Sequence, residues 1–320
     1  MSVYSAIRFH LIHSLAFKPL GVPLAALSGR AGATTLSRKV SLMCGYVPPL
    51  VEFTLPEYLA AAGPIVMHGA HGLDPVARSI WWGGGIAGYE SPYPQLFAAC
   101  SRDSRLVLDV GSFSGLYSMI AATTSPRAKV FAFDPFPPAL ELLRKNVHRN
   151  RLEDRIHVFP LGLSDFEGQA NFFQPTTTTG LIESASTLKP TSQVDILEQS
   201  QVAVTTVDKF LAEHCPDLSV DLMKIDVETN EPQVLRGANR VVREHRPVIF
   251  LEVLPQADVD ALDAIRAAEG YISAVLVPEG IRWEPRVEHM RDRHDHVLCP
   301  AAMRDWLRDA VELAGFRAHS

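Results

Sequence analysis

Val107-Leu108-Asp109-Val110-Gly111-Ser112-Phe113-Ser114-Gly115, followed by Phe131-Ala132-Phe133-Asp134-Pro135, decides the fold. An apolar strand ends in an acid, a glycine turn opens a helix, and a second apolar strand ends in an acid about 20 residues on. This is the mononucleotide-binding half of a doubly wound α/β sheet, and it predicts an adenosyl ligand. The turn is not a phosphate cradle. Wrapping phosphates in backbone N–H groups takes glycines at G-x-G-x-x-G, or a lysine and hydroxyl closing a P-loop. Here only Gly111 and Gly115 are present, with no lysine after them. Spacing of the G-x-x-x-G kind lets the backbone pass under a compact, uncharged sugar and amino-acid moiety. Asp134, a pure acceptor when ionised, is suited to take both ribose hydroxyls.

Outward from this unit the alternation is regular. Strand 106–110 feeds a helix from about Leu116, and strand 129–133 feeds a helix that Pro137-Pro138 can start, with Leu140, Leu143 and Val147 on one stripe. Ile156 to Leu163 reads as a third strand, ending at Ser164-Asp165 on the same carboxyl edge. Residues 174–193, rich in threonine and serine, have no clear period; a long polar stretch in a compact domain predicts a lid over the reaction centre or disorder. Residues 201–206 return as a strand and 207–213 as a short helix. Further strands are expected at Leu222 to Val227 and Val248 to Leu251, then helices from Pro232 and over 258–269, the latter ended by Gly270. Tyr271 to Val277 and His296 to Cys299 read as an antiparallel edge pair, and Ala301 to Ala314 as a terminal helix.

The strand Leu222-Met223-Lys224-Ile225-Asp226-Val227 carries the densest chemistry. Alternation places Lys224, Asp226 and Glu228 on one side and Met223, Ile225 and Val227 on the other. Ionisable groups in a row on a central strand are costly to bury unless they pair or face a cleft. The carboxyl end of a parallel strand is where open α/β sheets bind ligands, so the cleft is favoured, with Glu252 alongside at the end of the next strand. A structural ion-pair cluster is the plainer alternative.

The segment Val220 to Ala238, read with Asp109-Val110-Gly111, Asp134-Pro135, Leu163-Ser164-Asp165 and Thr206-Val207-Asp208, resembles the FkbM family of S-adenosylmethionine (SAM) dependent methyltransferases. The resemblance runs from roughly Tyr89 to Pro300. It implies a Rossmann-like, seven-stranded class I methyltransferase sheet, mostly parallel with an antiparallel edge and helices on both faces, with SAM as cofactor. It implies a cofactor site built from Glu90, Asp109, Gly111, Ser112, Phe113, Ser114, Gly115, Asp134, Pro135, Ser164, Asp165 and Asp226, with Asp165 resembling the residue that reaches the adenine amino group. The implied reaction is methylation of a hydroxyl on a sugar, glycan or polyketide-like small molecule. Asp226 or Glu228 is then the base or acceptor-orienting group, Lys224 holds their ionised state, and Glu252 completes the catalytic set. Two alternatives stay open: nitrogen or carboxylate as acceptor, and a catalytically degenerate SAM-binding scaffold. The family has a glycine after the Val-Glu pair; this chain has Thr229, so the loop must suit a β-branched residue. Catechol-type methyltransferases use such acids to hold a divalent metal, but sequence spacing does not establish convergence, and no metal is assigned. His289, His294 and His296 read as part of a solvated loop, with His294 within reach of the pocket.

Composition fits one catalytic domain, 89–320, with an N-terminal extension, 1–88, packing on it and contributing to the acceptor pocket. The net charge of −6 gives no reason to expect a nucleic-acid partner. Residues 1–51 hold Arg8, Lys18, Arg30, Arg38 and Lys39 and no acid, which leaves peripheral membrane contact or targeting open beside simple packing. Their uncharged runs are too short and proline-broken to span a bilayer. Cys44, Cys100, Cys215 and Cys299 lie far apart, so a cytoplasmic location is the default expectation. The cluster Trp81-Trp82-Gly83-Gly84-Gly85-Ile86-Ala87-Gly88 reads as a flexible pocket lip or equally as an ordinary glycine loop with two core tryptophans, with Tyr89 and Glu90 near the cofactor or acceptor pocket by resemblance.

Overall fold

The computed structural model describes residues 47–59, 63–175, 187–188, 196–291 and 293–319. The acid-free segment up to residue 46 and most of the polar stretch 174–193 lie outside them.

The alternating pattern builds one large sheet. Its strands are β3 (Leu106–Val110), β4 (Lys129–Phe133), β5 (Ile156–Phe159), β9 (Leu222–Ile225), β10 (Val248–Glu252), β11 (Tyr271–Val277), β12 (Gly280–Glu284), β13 (Asp295–Pro300) and β14 (Arg317–His319), in the order β14-β12-β11-β13-β10-β9-β3-β4-β5. The five strands β10-β9-β3-β4-β5 are parallel, and β13 turns antiparallel between β10 and β11. Seven of these strands form the expected class I methyltransferase sheet, and β12 and β14 extend it. The β11–β13 pair is therefore interior rather than at the edge. Chain order reverses between β3 and β4 on one side and β9 on the other, which opens a crevice at the carboxyl ends of β3 and β9.

Side-chain alternation divides the core between the two faces of the sheet. Val107, Val130, Leu222, Phe250 and Val297 face α2 (Tyr93–Ser101), α3 (Leu116–Thr124) and α8 (Arg304–Leu313); Leu108, Met223, Ile225, Ile249 and Leu251 face α5 (Val207–His214), α6 (Glu231–Gly237) and α7 (Val259–Ala268). The remaining helix of the nucleotide half, α4 (Pro137–Arg149), starts at the Pro137-Pro138 pair as the sequence predicts.

Two local readings change. The stretch predicted as a strand from Ile156 to Leu163 breaks after Phe159, and Gly162–Leu163 (β6) joins β7 (Gly168–Pro175) and β8 (Ile196–Thr205) in a separate three-stranded sheet. Pro160 has no N–H with which to continue a ladder. The residues before the nucleotide unit form a hairpin, β1 (Leu50–Phe53) with β2 (Ile65–His68), and α1 (Pro75–Gly83), which share the α2-side core through Val51, Phe53, Met67 and Ile80. The glycine cluster after α1 is a tight crossing rather than a flexible lip, since a Cβ on Gly83 would lie 2.3 Å from the Gly88 Cα. No helix among the described residues is long and apolar enough to cross a membrane.

Asp74 caps α1: its Oδ1 accepts the Val76 N–H at 2.8 Å, while Oδ2 has no hydrogen-bond partner. Burial raises its pKa from 3.8 to about 6, against the lowering influence of the Val76 and Ala77 N–H groups, Ser114 and Arg78. Between those two values the folded chain holds a proton that the unfolded chain has released, so this group's contribution to stability falls as pH rises from 3.8 through about 6. Asp74→Asn keeps a capping oxygen and removes the titration. It is expected to flatten the Tm profile across that window and to raise stability at pH 7 by up to about 3 kcal/mol. A variant whose Tm profile parallels the parent's contradicts this.

Candidate functional site

A cavity of about 290 Å³ opens where the strand order reverses. Its floor is the turn after β3. Gly111 takes φ +77°, and a Cβ there would sit 1.7 Å from the Asp226 carbonyl oxygen, so the turn and the end of β9 close on each other only with glycine present. Gly115, at φ +85°, opens α3. The Asp134 carboxylate holds this turn from the neighbouring strand, accepting from Phe113 N–H through Oδ2 and Phe136 N–H through Oδ1, each at 2.8 Å. An ionised carboxylate has about four lone-pair positions, so two stay available for a diol. Burial pushes Asp134 up to about 6.

Ser112, Phe113, Ser114, Asp134, Pro135 and Asp226 line the cavity together with Tyr89 and Glu90. The buried Ser112 hydroxyl has no hydrogen-bond partner. An uncharged crevice floor, an unpartnered hydroxyl and a half-used carboxylate fit the sugar and amino-acid parts of SAM. Asp109 lies beneath the turn, accepting from Ser118 Oγ at 2.5 Å with Oδ1 unpartnered, and burial raises its pKa.

Ser164 and Asp165 are not brought into this wall. The Ser164 side chain is buried beside Asn230, and Asp165 faces outward to Arg236, 3.0 Å from its Nε. Their places are taken by Leu161, Gly162 and Leu163. The break after β5 turns the chain before the acid reaches the crevice.

The opposite wall is acidic. Lys224, in register with Asp109 on β3 and Phe250 on β10, is buried with its Nζ 2.9 Å from Asp226 Oδ2 and 4.9 Å from the Tyr117 ring centre. Burial alone lowers its pKa, but Asp226, Asp109 and Glu90 together outweigh that and hold the ammonium above its ordinary value. β9 ends at Ile225, two residues short of the predicted Val227. Glu228 therefore reaches the same side through a turn rather than by strand alternation: Glu228 has φ +54° and Thr229 φ +81°. Asp226, Glu228 and Glu252 each offer an oxygen within 4.8 Å of the others. Burial first, and neighbouring carboxylates second, raise Glu228 to about 8 and Glu252 to about 11.

Four contributors escaped sequence reading. Tyr117 donates to Glu90 Oε2 at 2.8 Å. Asp295, opposite Glu252 across the antiparallel pair, is raised to about 8 by burial and then by Glu90 and Asp226. Glu231 clamps the turn, accepting from the Val227 and Thr229 N–H groups at 3.2 Å each. Tyr93 stacks on Phe250 beneath the acids. Only Glu231 had a local signal, an acid at a proline-started helix N-terminus. The histidine reading also changes: His296 is fully buried among apolar side chains, its ring nitrogens unpartnered, and burial lowers its pKa to about 4.

The threonine at the family's glycine position is held in a left-handed conformation that β-branched residues rarely adopt. Thr229→Gly is expected to stabilise the fold by about 1 kcal/mol after the loss of unfolded-state restriction is counted. Chemical denaturation reads this directly, and a destabilised variant excludes strain at the turn.

Of the cofactor and catalytic residues named by the sequence, Asp109 lies beneath the crevice, Gly115 at the head of α3, and Ser164 and Asp165 away from it; the others line it together. The methyltransferase FkbM domain profile matches residues 109–273. Among curated proteins, the chain is 26% identical over 245 residues to the AMB antimetabolite synthetase AmbE of Pseudomonas aeruginosa, covering 67% of this chain and 11% of that protein. It is 27% identical over 171 residues to the hexuronic acid methyltransferase AglP of Haloferax volcanii, covering 52% of this chain and 62% of that protein. It is 28% identical over 159 residues to the 31-O-demethyl-FK506 methyltransferase FkbM of Streptomyces tacrolimicus, covering 42% of this chain and 60% of that protein. It thus spans less than two thirds of each of these relatives. A solved methyltransferase FkbM from Methylobacillus flagellatus aligns with a TM-score of 0.43 and 15% identity over 87% of this chain and 58% of that one. With the profile lying across the glycine turn, Asp134 and the Lys224–Glu231 segment, the chain belongs to the FkbM family of methyltransferases, whose cofactor is S-adenosyl-L-methionine.

Proposed function

We propose that this protein transfers a methyl group from SAM to a hydroxyl of a sugar, glycan or polyketide-like small molecule. The observation that carries the reading is the opposition of two walls in one crevice: a glycine turn with a half-used carboxylate on one side, and Asp226, Glu228 and Glu252 on the other. Bound against the first wall, SAM supplies an electrophilic methyl on a cationic sulfur.

Asp134 and the Gly111 turn orient the cofactor, and the acid wall receives the acceptor. Glu228, half-buried and facing the cavity, takes the hydroxyl proton as the oxygen–carbon bond forms, while the carbon–sulfur bond breaks with its electron pair passing to sulfur. Lys224 pairs with Asp226 at 2.9 Å and offsets the charge of this wall. Pro75, Val76 and Ser79 also line the cavity, which supports a role for the extension in acceptor binding. The name of the relative that acts on 31-O-demethyl-FK506 supports oxygen as the acceptor atom, while a hexuronic acid, named for another, offers both hydroxyl and carboxylate oxygens.

Calorimetric binding of S-adenosylhomocysteine, followed by its detection as product over a panel of hydroxylated acceptors, tests the reading. Glu228→Gln is expected to retain cofactor affinity and lose about 100-fold or more in kcat. Unchanged turnover removes Glu228 from the chemistry, and absence of turnover on every acceptor with cofactor bound favours the scaffold alternative.

A further inference from the structure

We propose that Asp226, Glu228 and Glu252 bind one divalent cation of the hard, oxygen-preferring class, such as magnesium, calcium or manganese(II), which takes the acceptor oxygen as a further ligand. The ion's part in transfer rests on the function proposed above; its binding does not.

Convergence is the first support. The three donors come from the end of β9, from the turn beyond it and from the end of β10, yet one oxygen of each lies within 4.8 Å of the others. Three oxygens mutually 4.8 Å apart lie about 2.8 Å from a common centre, so small side-chain rotations bring all three to bonding distance of one ion, about 2.1–2.6 Å, without moving the backbone. A donor set of carboxylates alone selects the hard cations rather than zinc or copper.

Charge is the second. Glu90 and Asp295 stand near the three acids, and Lys224 and Arg293 are the cations that counter the Asp295 carboxylate. Lys224 is already engaged with Asp226 at 2.9 Å. Carboxylates buried together at this density either hold protons or take a counter-ion, and a divalent cation displaces the protons.

The third is independent of the acids. Tyr93 is 2% exposed, and its hydroxyl has no hydrogen-bond partner. Its ring stacks on Phe250, two residues before Glu252 on the same face of β10, and Asp295, Asp226, Glu90 and Glu252 are the carboxylates whose charge acts on its hydroxyl. A hydrated cation brings water to such a position, and magnesium in particular keeps several waters when bound by protein. That water is the partner the phenol lacks.

With one oxygen of each carboxylate on the ion, the second oxygen of Glu228 stays available to receive the acceptor's proton. Coordination lowers the pKa of the hydroxyl, so a weak base suffices.

The test is manganese(II) uptake by the full chain, stripped with chelator and free of SAM and acceptor, followed by electron paramagnetic resonance of unbound ion. One manganese per chain is expected, displaced by magnesium and accompanied by a rise in Tm. Glu252→Gln and Asp226→Asn should each weaken uptake about 10-fold or more, while Glu141→Gln, on the exposed face of α4, leaves it unchanged. S-Adenosylhomocysteine binding by Glu252→Gln reports that the crevice is intact. Absence of stoichiometric uptake by the parent chain, uptake indifferent to both substitutions, or capture of a diamine such as putrescine in place of the metal overturns the proposal. Uptake together with an absence of methyl transfer refutes the function and leaves the ion site standing.

Discussion

Gly111→Ala is expected to abolish cofactor binding and to lower Tm by more than any other single change in the glycine turn. The added Cβ would meet the Asp226 carbonyl oxygen at 1.7 Å, a backbone atom that cannot rotate away, and the φ of +77° is itself costly for any residue with a Cβ. Relief requires β3 and β9 to separate at their carboxyl ends, where Asp226 N–H donates to Val110 O at 3.0 Å. That movement widens the crevice floor and displaces Asp226 from Lys224. A loss of about 100-fold or more in S-adenosylhomocysteine affinity corresponds to ~2.7 kcal/mol, well below the combined cost of strain and separation. Calorimetry on the folded fraction measures it; affinity within about twofold of the parent's would show that the turn is not the floor of the cofactor site.

Lys224→Met is expected to cost about 3–5 kcal/mol of stability, because removing one partner from a buried charge network leaves the others uncompensated. The side chain is 3% exposed and sits within reach of Asp226, Asp109 and Glu90. The loss should also depend on pH. Burial already raises Asp109 and Glu90 above 3.8 and 4.5, and Lys224 is a cation that pulls both back down. Without it their folded-state values rise further, and a group raised in the folded state loses its stabilising contribution as pH increases. The gap between variant and parent should therefore widen upward from the ordinary carboxylate range. Urea denaturation at several pH values reads both effects, and a constant gap would mean that Lys224 does not neutralise the acid wall. Methionine keeps much of the stem's volume, so lost packing is a minor part of the change.

Tertiary geometry also sets the limits of what residue order conveys. Alternation correctly placed Lys224 and Asp226 together because Asp226, one residue past β9, still donates its N–H to Val110 and keeps the strand's side-chain phase. It reached the right answer for Glu228 through the wrong local structure: the strand stops at Ile225, and a left-handed turn held by Glu231 delivers the carboxylate. Asp165 shows the converse, an acid in the expected place in the chain but turned out toward Arg236 once β5 ends early.

The β-α-β unit, the carboxyl-edge location of the crevice and the places of Asp134 and Gly111 in its wall were legible in the chain, because burial periodicity and turn chemistry are properties of neighbouring residues. The closeness of Glu252 to Asp226 and Glu228, the burial of Tyr93 beneath them and the arrival of Asp295 on an antiparallel strand were settled by packing. Those contacts join elements tens to hundreds of residues apart, and their distances depend on strand order and register, which no local spacing encodes.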